Sequence, residues 1–150
     1  MKFSFSAVLL LCLLSACVGD NEMEVFDDNI IEIEEYLAAN NLNADVSVSG
    51  LHYIISEPGS VNHPNAFNEI DVDYRGYLID GTTFDSGTDV TFNMQNVIAG
   101  WQEGIPLIGK GGQIMLLVPA RLAYGDEPPE GVGIPENVPL IFDVTLNDFN

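Results

Sequence analysis

Two hydrophobic periods divide the chain. In "FDDNIIEIEEYLAANNL" the apolar residues Phe26, Ile30, Ile33 and Leu37 fall four, three and four apart, the spacing that lines up side chains on one face of a helix. Asp27 or Asp28 can cap its start, and Asn40 and Asn41 suit its end. Such a helix can pack on a domain, pair with a second copy or space the domain outward, and the pattern alone leaves all three open. From Gly50 onward the period is two. "GLHYIISE" reads as a strand closed by Pro58-Gly59, and "NEIDVDYRGYLIDG" sets Ile70, Val72, Tyr74 and Gly76 against Asp71, Asp73 and Arg75 before a turn at Asp80-Gly81. "FDSGTDV" reads as a turn before the short strand "VTFNM", and "GGQIMLLVPA" as a buried strand stopped by Pro119. "VPLIFDVTLNDF" sends Leu140, Phe142, Val144 and Leu146 to one face, with Asp143, Thr145 and Asn147 opposite. These elements, about five strands and one helical turn carrying Trp101, fit an α+β fold in which a bent antiparallel sheet wraps one short helix.

The first residues follow a different logic. "MKFSFSAVLLLCLLSAC" has one cation, Lys2, then an apolar run from Ala7 to Leu14 and small residues. That is the plan of an export signal, and the run is too short to span a bilayer. Its end, Leu14-Ser15-Ala16-Cys17, resembles the lipobox of bacterial lipoproteins. The resemblance implies cleavage before Cys17, lipid on its thiol and new amino group, and a membrane anchor. Val18 stands where an aspartate is associated with inner-membrane retention, which points to the outer membrane of the cell envelope. The expected organisation is a signal over 1–16, an acidic tether over 17–28, a helix and linker over 29–49, and a folded domain over 50–150. Cys12 and Cys17 are the only cysteines, so the domain has no internal disulfide and depends on its core.

Charge narrows the partners. The net charge is −19, and loss of Lys2 with the signal makes it −20, leaving Arg75, Lys110 and Arg121 as cations. A surface this acidic repels phosphate backbones, which excludes nucleic acid as a partner. Asp80, Asp85 and Asp89 lack the alternation of a calcium loop. His52 and His63 suggest no metal pair, and no nucleophile elbow or phosphate-cradling glycine loop occurs. The expectation is therefore chemistry without cofactor, metal or covalent intermediate. What accumulates at turns and strand ends is apolar and aromatic: Tyr74, Phe84, Phe92, Val97, Ile98, Trp101, Tyr124, Ile134 and Phe142.

Four phrases around these residues, "VDYRGYLIDGTTFDSG", "VIAGWQEGI", "LAYGD" and "IPENVPLIFDVTL", resemble the FKBP-type peptidyl-prolyl isomerases in order and spacing over 50–149. The resemblance implies a half-barrel of antiparallel strands on a short helix, with a pocket between them for proline-containing peptides and, in some members, macrolides. It makes Trp101 the floor and Tyr74, Phe84 and Phe142 the walls. The Ile98 N–H becomes a donor to a substrate carbonyl beside Val97, and the Tyr124 hydroxyl a second donor. Asp85 becomes the acid beside the pocket and Ile134 an apolar lip. Gly100 and Gly104 would let backbone and peptide approach closely. The implied substrates are proline-bearing segments of exported proteins. The competing reading is a non-catalytic proline-peptide-binding or chaperone module. Val90, Asn96 and the acidic, proline-rich "GDEPPEGVGIPENVP" depart from the usual pattern and bear on substrate preference.

Overall fold

The computed structural model describes residues 19–150; the signal over 1–16 and Cys17 lie outside them. Helix α1 spans Gly19–Ala39. Most of the segment expected to be an acidic tether is thus helical. Glu22, Met23 and Glu24 are good helix formers, and acids in the first turns complement the helix dipole. The helix stops where Asn41 turns left-handed at φ 54°. The Leu42 N–H then donates to Leu37 O at 2.9 Å, and the Asn41 N–H to Ala38 O at 3.2 Å, the paired bonds of a Schellman cap.

The strands are β1 (Asp45–Val46), β2 (His52–Glu57), β3 (Glu69–Tyr77), β4 (Thr83–Asn93), β5 (Gln113–Val118) and β6 (Leu140–Phe149). They form one antiparallel sheet in the order β1-β2-β5-β6-β3-β4. Two strand expectations change. The two-residue β1 is too short to show a period. The "FDSGTDV" segment is not a turn but the first half of β4, where Asp85, Ser86 and Gly87 pair with Gly76, Arg75 and Tyr74. Between Val72 and Tyr74 the register shifts, and Asp89 takes φ 51°. Asp73 holds this bulge: its Oδ1 accepts from the Asp89 N–H and from Asn147 Nδ2, both at 2.8 Å. Those bonds, the Asp89 one first, keep its carboxyl below the ordinary range.

Both faces of the sheet are used. On the concave face Leu51, Ile70, Val72, Leu116, Leu140, Phe142 and Leu146 pack against Met94, Trp101 and Ile105. On the convex face Ile33 and Leu37 of α1 pack on Tyr77, Leu117 and Ile141. The helix therefore packs on its own domain, the first of the three options. This double burial explains why Leu116-Leu117 and Leu140-Ile141-Phe142 run apolar without alternation.

Helix α2 (Ala99–Gly104) lies across β5. A Cβ on Gly100 would stand 2.5 Å from Val118 Cγ1, and one on Gly104 2.4 Å from Leu116 Cδ2. The glycines around Trp101 thus serve close helix–sheet packing, not approach of a peptide as the resemblance implied.

Candidate active site

Lowering α2 onto β5 sets the depth of the indole that α2 carries. Trp101 is 4% exposed and is met edge-on by three rings: Tyr74 of β3 at 5.5 Å and 84°, Phe92 of β4 at 5.7 Å and 85°, and Phe142 of β6 at 5.5 Å and 83°. Perpendicular packing places ring edges against ring faces, the favourable quadrupole geometry. Above it opens a cleft of about 180 Å³ lined by Tyr74, Asp85, Phe92, Asn96, Val97, Ile98, Trp101, Tyr124 and Phe142. Sites for drug-sized ligands run to roughly 300–1,000 Å³, so this cleft is scaled to one ring or side chain.

Polar groups are few and oriented. The Tyr74 hydroxyl donates to Asp85 Oδ2 at 2.8 Å, and Asp85 Oδ1 accepts from the Ser86 N–H at 2.9 Å. Burial, then the Asp85 hydrogen bond and charge, push the Tyr74 hydroxyl up to about 12. Burial first and the Asp85 charge second raise Tyr124 as well. Both phenols therefore stay protonated, as donors, across the neutral range. Ile98 precedes α2, its carbonyl accepting from the Trp101 and Gln102 N–H groups at 2.9 and 3.1 Å. Its own N–H meets no acceptor among the described residues. Gln102 Nε2 donates to Val97 O at 2.9 Å and fixes the chain's entry to the helix. Trp101 Nε1 is shut from solvent without a partner among the described residues.

The structure brings Tyr74, Asp85, Val97, Ile98, Trp101, Tyr124 and Phe142 together on the cleft. The expected wall Phe84 and the expected lip Ile134 both pack with the cluster that holds Trp101 and Phe142. Phe84 supports Phe142 edge-on at 5.6 Å and 84°, in space left by Gly76, whose Cβ would stand 2.6 Å from Phe84 Cζ. Ile134 is 9% exposed and joins the same core cluster as Trp101 and Phe142. Phe92 forms a further wall of the cleft; it belongs to the aromatics noted above without being an expected site residue, and its alternation within "VTFNM" is the signal that marks it. His52 and His63 stand apart from the cleft, their Nδ1 atoms bonded to the carbonyls of Gly50 and Pro106 at 3.0 and 2.9 Å.

The sequence model of the family described as FKBP-type peptidyl-prolyl cis-trans isomerase matches residues 61–147. The chain is 42% identical over 120 residues to FKBP-type peptidyl-prolyl cis-trans isomerase FkpA of Aeromonas hydrophila, covering 75% of this chain and 44% of that protein. It is 41% identical over 128 residues to the FkpA of Escherichia coli K12, covering 81% and 46%. The chain thus spans about half the length of these curated relatives. The crystal structure of FkpA from Escherichia coli superposes with a TM-score of 0.72 at 36% identity, covering 87% of this chain and 63% of that one.

Proposed function

The chain belongs to the FKBP-type peptidyl-prolyl cis-trans isomerase family, and from that membership we propose that its domain accelerates rotation about X-Pro bonds in exported proteins. The observation that carries the reading is the cleft itself: an indole floor within perpendicular rings, two protonated phenols and a free amide at its edge.

The reaction suits such a site. Peptide-bond rotation is resisted by about 18–20 kcal/mol of lost conjugation, while the two X-Pro isomers differ by only about 0.5–1 kcal/mol. At the twisted transition state the amide loses resonance and charge separation. An apolar, water-poor cleft binds that state better than the planar, polar amide, and this difference lowers the barrier. The proline ring rests on Trp101 between Tyr74, Phe92 and Phe142. The Ile98 N–H and Tyr124 hydroxyl hold flanking carbonyls, and Asp85 fixes Tyr74. No proton is transferred and no covalent bond is made. Macrolides presenting a proline-like ring compete for the same floor.

A protease-coupled assay on a short X-Pro peptide tests the proposal. Tyr124→Phe removes one hydrogen bond and is expected to lower kcat/KM by roughly 2–13-fold, from about 0.5–1.5 kcal/mol. A wild-type rate at background would overturn the isomerase reading. Peptide-dependent Trp101 fluorescence without turnover would favour the non-catalytic binder instead.

We further infer an envelope location with a lipid anchor at Cys17, supported by the leader and the Leu14-Ser15-Ala16-Cys17 ending. Each buried CH₂ of an acyl chain adds about 0.8 kcal/mol of membrane affinity. Cys17→Ser is expected to move the protein out of the detergent-requiring membrane fraction. An unchanged distribution on fractionation would remove the anchor from the account.

A further inference from the structure

Tyr124 sits on a loop that runs from Ala120 to Asn137 and is drawn together at its neck. The Gly125 N–H donates to Ala120 O at 2.9 Å, and the Asn137 N–H to Gly125 O at 2.7 Å. A third tie comes from outside the sheet. Asn29 of α1 accepts from the Ala120 N–H through Oδ1 at 2.7 Å and donates from Nδ2 to Asn137 O at 2.9 Å. Its side chain is 2% exposed, so water does not substitute for either bond. The same stretch of helix meets the same turn again, where Arg121 lies 3.5 Å above the Phe26 ring and donates to Ser49 O.

The residue type matters. Joining an N–H on one side of the neck to a carbonyl on the other needs an acceptor and a donor on one short, planar head, which a carboxamide supplies. Alanine supplies neither. Aspartate keeps the acceptor for Ala120 but turns a carboxylate oxygen toward Asn137 O. Asn137 is itself left-handed, at φ 58°, so its carbonyl has a fixed direction for the tie to hold.

We propose that Asn29 is a positioning residue for the peptide cleft: from α1 it clasps both sides of the Ala120–Asn137 neck and so fixes the place of the Tyr124 hydroxyl. This rests on the isomerase reading above, in which Tyr124 meets the substrate. The N-terminal helix is accordingly part of the site's framework although none of it lines the cleft.

The test is a double-mutant cycle on the full chain, at a temperature where far-UV circular dichroism shows every variant folded. Asn29→Ala is expected to lower kcat/KM about tenfold, as small misplacements of a substrate-orienting group do. In that background Tyr124→Phe costs little more, because the hydroxyl is already out of place. An Asn29→Ala rate within twofold of wild type, or penalties that multiply in full, would show a purely structural residue. If the alanine variant does not fold, Asn29→Asp carries the same cycle. A wild type without turnover ends the isomerase reading but still leaves this one decidable by amide exchange. The Gly125 and Asn137 protons should then exchange faster in Asn29→Ala while the β5–β6 centre is unchanged, and equal rates at the neck overturn the proposal.

Discussion

Trp101→Ala is expected to lower the free energy of unfolding by about 3–5 kcal/mol, the usual cost of deleting a buried aromatic, and to abolish peptide response in the fraction that remains folded. The side chain is 4% exposed and supports three perpendicular rings, so its loss opens a void and leaves Tyr74, Phe92 and Phe142 without a common partner. Each such aromatic pair contributes about 0.5–1.5 kcal/mol beyond area burial. Trp101→Phe should be far milder in stability, since the indole N–H that it deletes has no acceptor among the described residues. Urea unfolding followed by circular dichroism measures the first effect, and the protease-coupled assay the second. A Trp101→Ala protein that keeps wild-type turnover would remove the indole from the mechanism.

Ile33→Asp should act on the other face. Ile33 is fully buried against Tyr77, Leu117 and Ile141, and an unpaired carboxylate there is expected to cost at least about 3–5 kcal/mol. The helix is already rich in acids. Glu32 is raised above its ordinary range by burial first, then by Asp28 and Glu35, so another acid one residue on finds no compensating charge. The helix should leave the sheet, exposing Leu117 and Ile141 to water. Loss of helical circular dichroism, a lower Tm and dye binding to the uncovered face would record it. Ile33→Ala, which leaves a void but no charge, should retain the helix at a cost of about 2–5 kcal/mol. Equal Tm for Ile33→Asp and wild type would mean that α1 does not need this contact.

The parts of the molecule legible in the sequence are those whose physics is local. The alternation of Leu140, Phe142, Val144 and Leu146 reports one concave face because each residue alone must choose oil or water. The grouping of Tyr74, Val97, Ile98, Trp101, Tyr124 and Phe142 came through resemblance, not periodicity. What stayed hidden depends on distant partners. The polar half of β4 is a strand because β3 pairs with it, not because its own residues alternate. Phe84 and Ile134 carry the right chemistry for a wall and a lip, but the depth of each is set by packing around Gly76 and the concave core. The Asn29–Asn137 bond joins residues 108 apart, and nothing near either one announces it. The glycines around Trp101 looked like clearance for a ligand until Val118 and Leu116 occupied the space.

The early start of α1 changes how the cleft would meet its clients. A flexible leash between the anchor proposed at Cys17 and the sheet would let the domain sweep a volume. Because α1 lies against the domain through Phe26, Asn29, Ile33 and Leu37, its length adds no standoff, and an anchor at Cys17 would hold the domain close to the bilayer instead. A domain mounted this way would sample chains that thread past the bilayer surface and would be slow to reach those already adrift, so its throughput would follow the flux of newly exported polypeptide at that membrane.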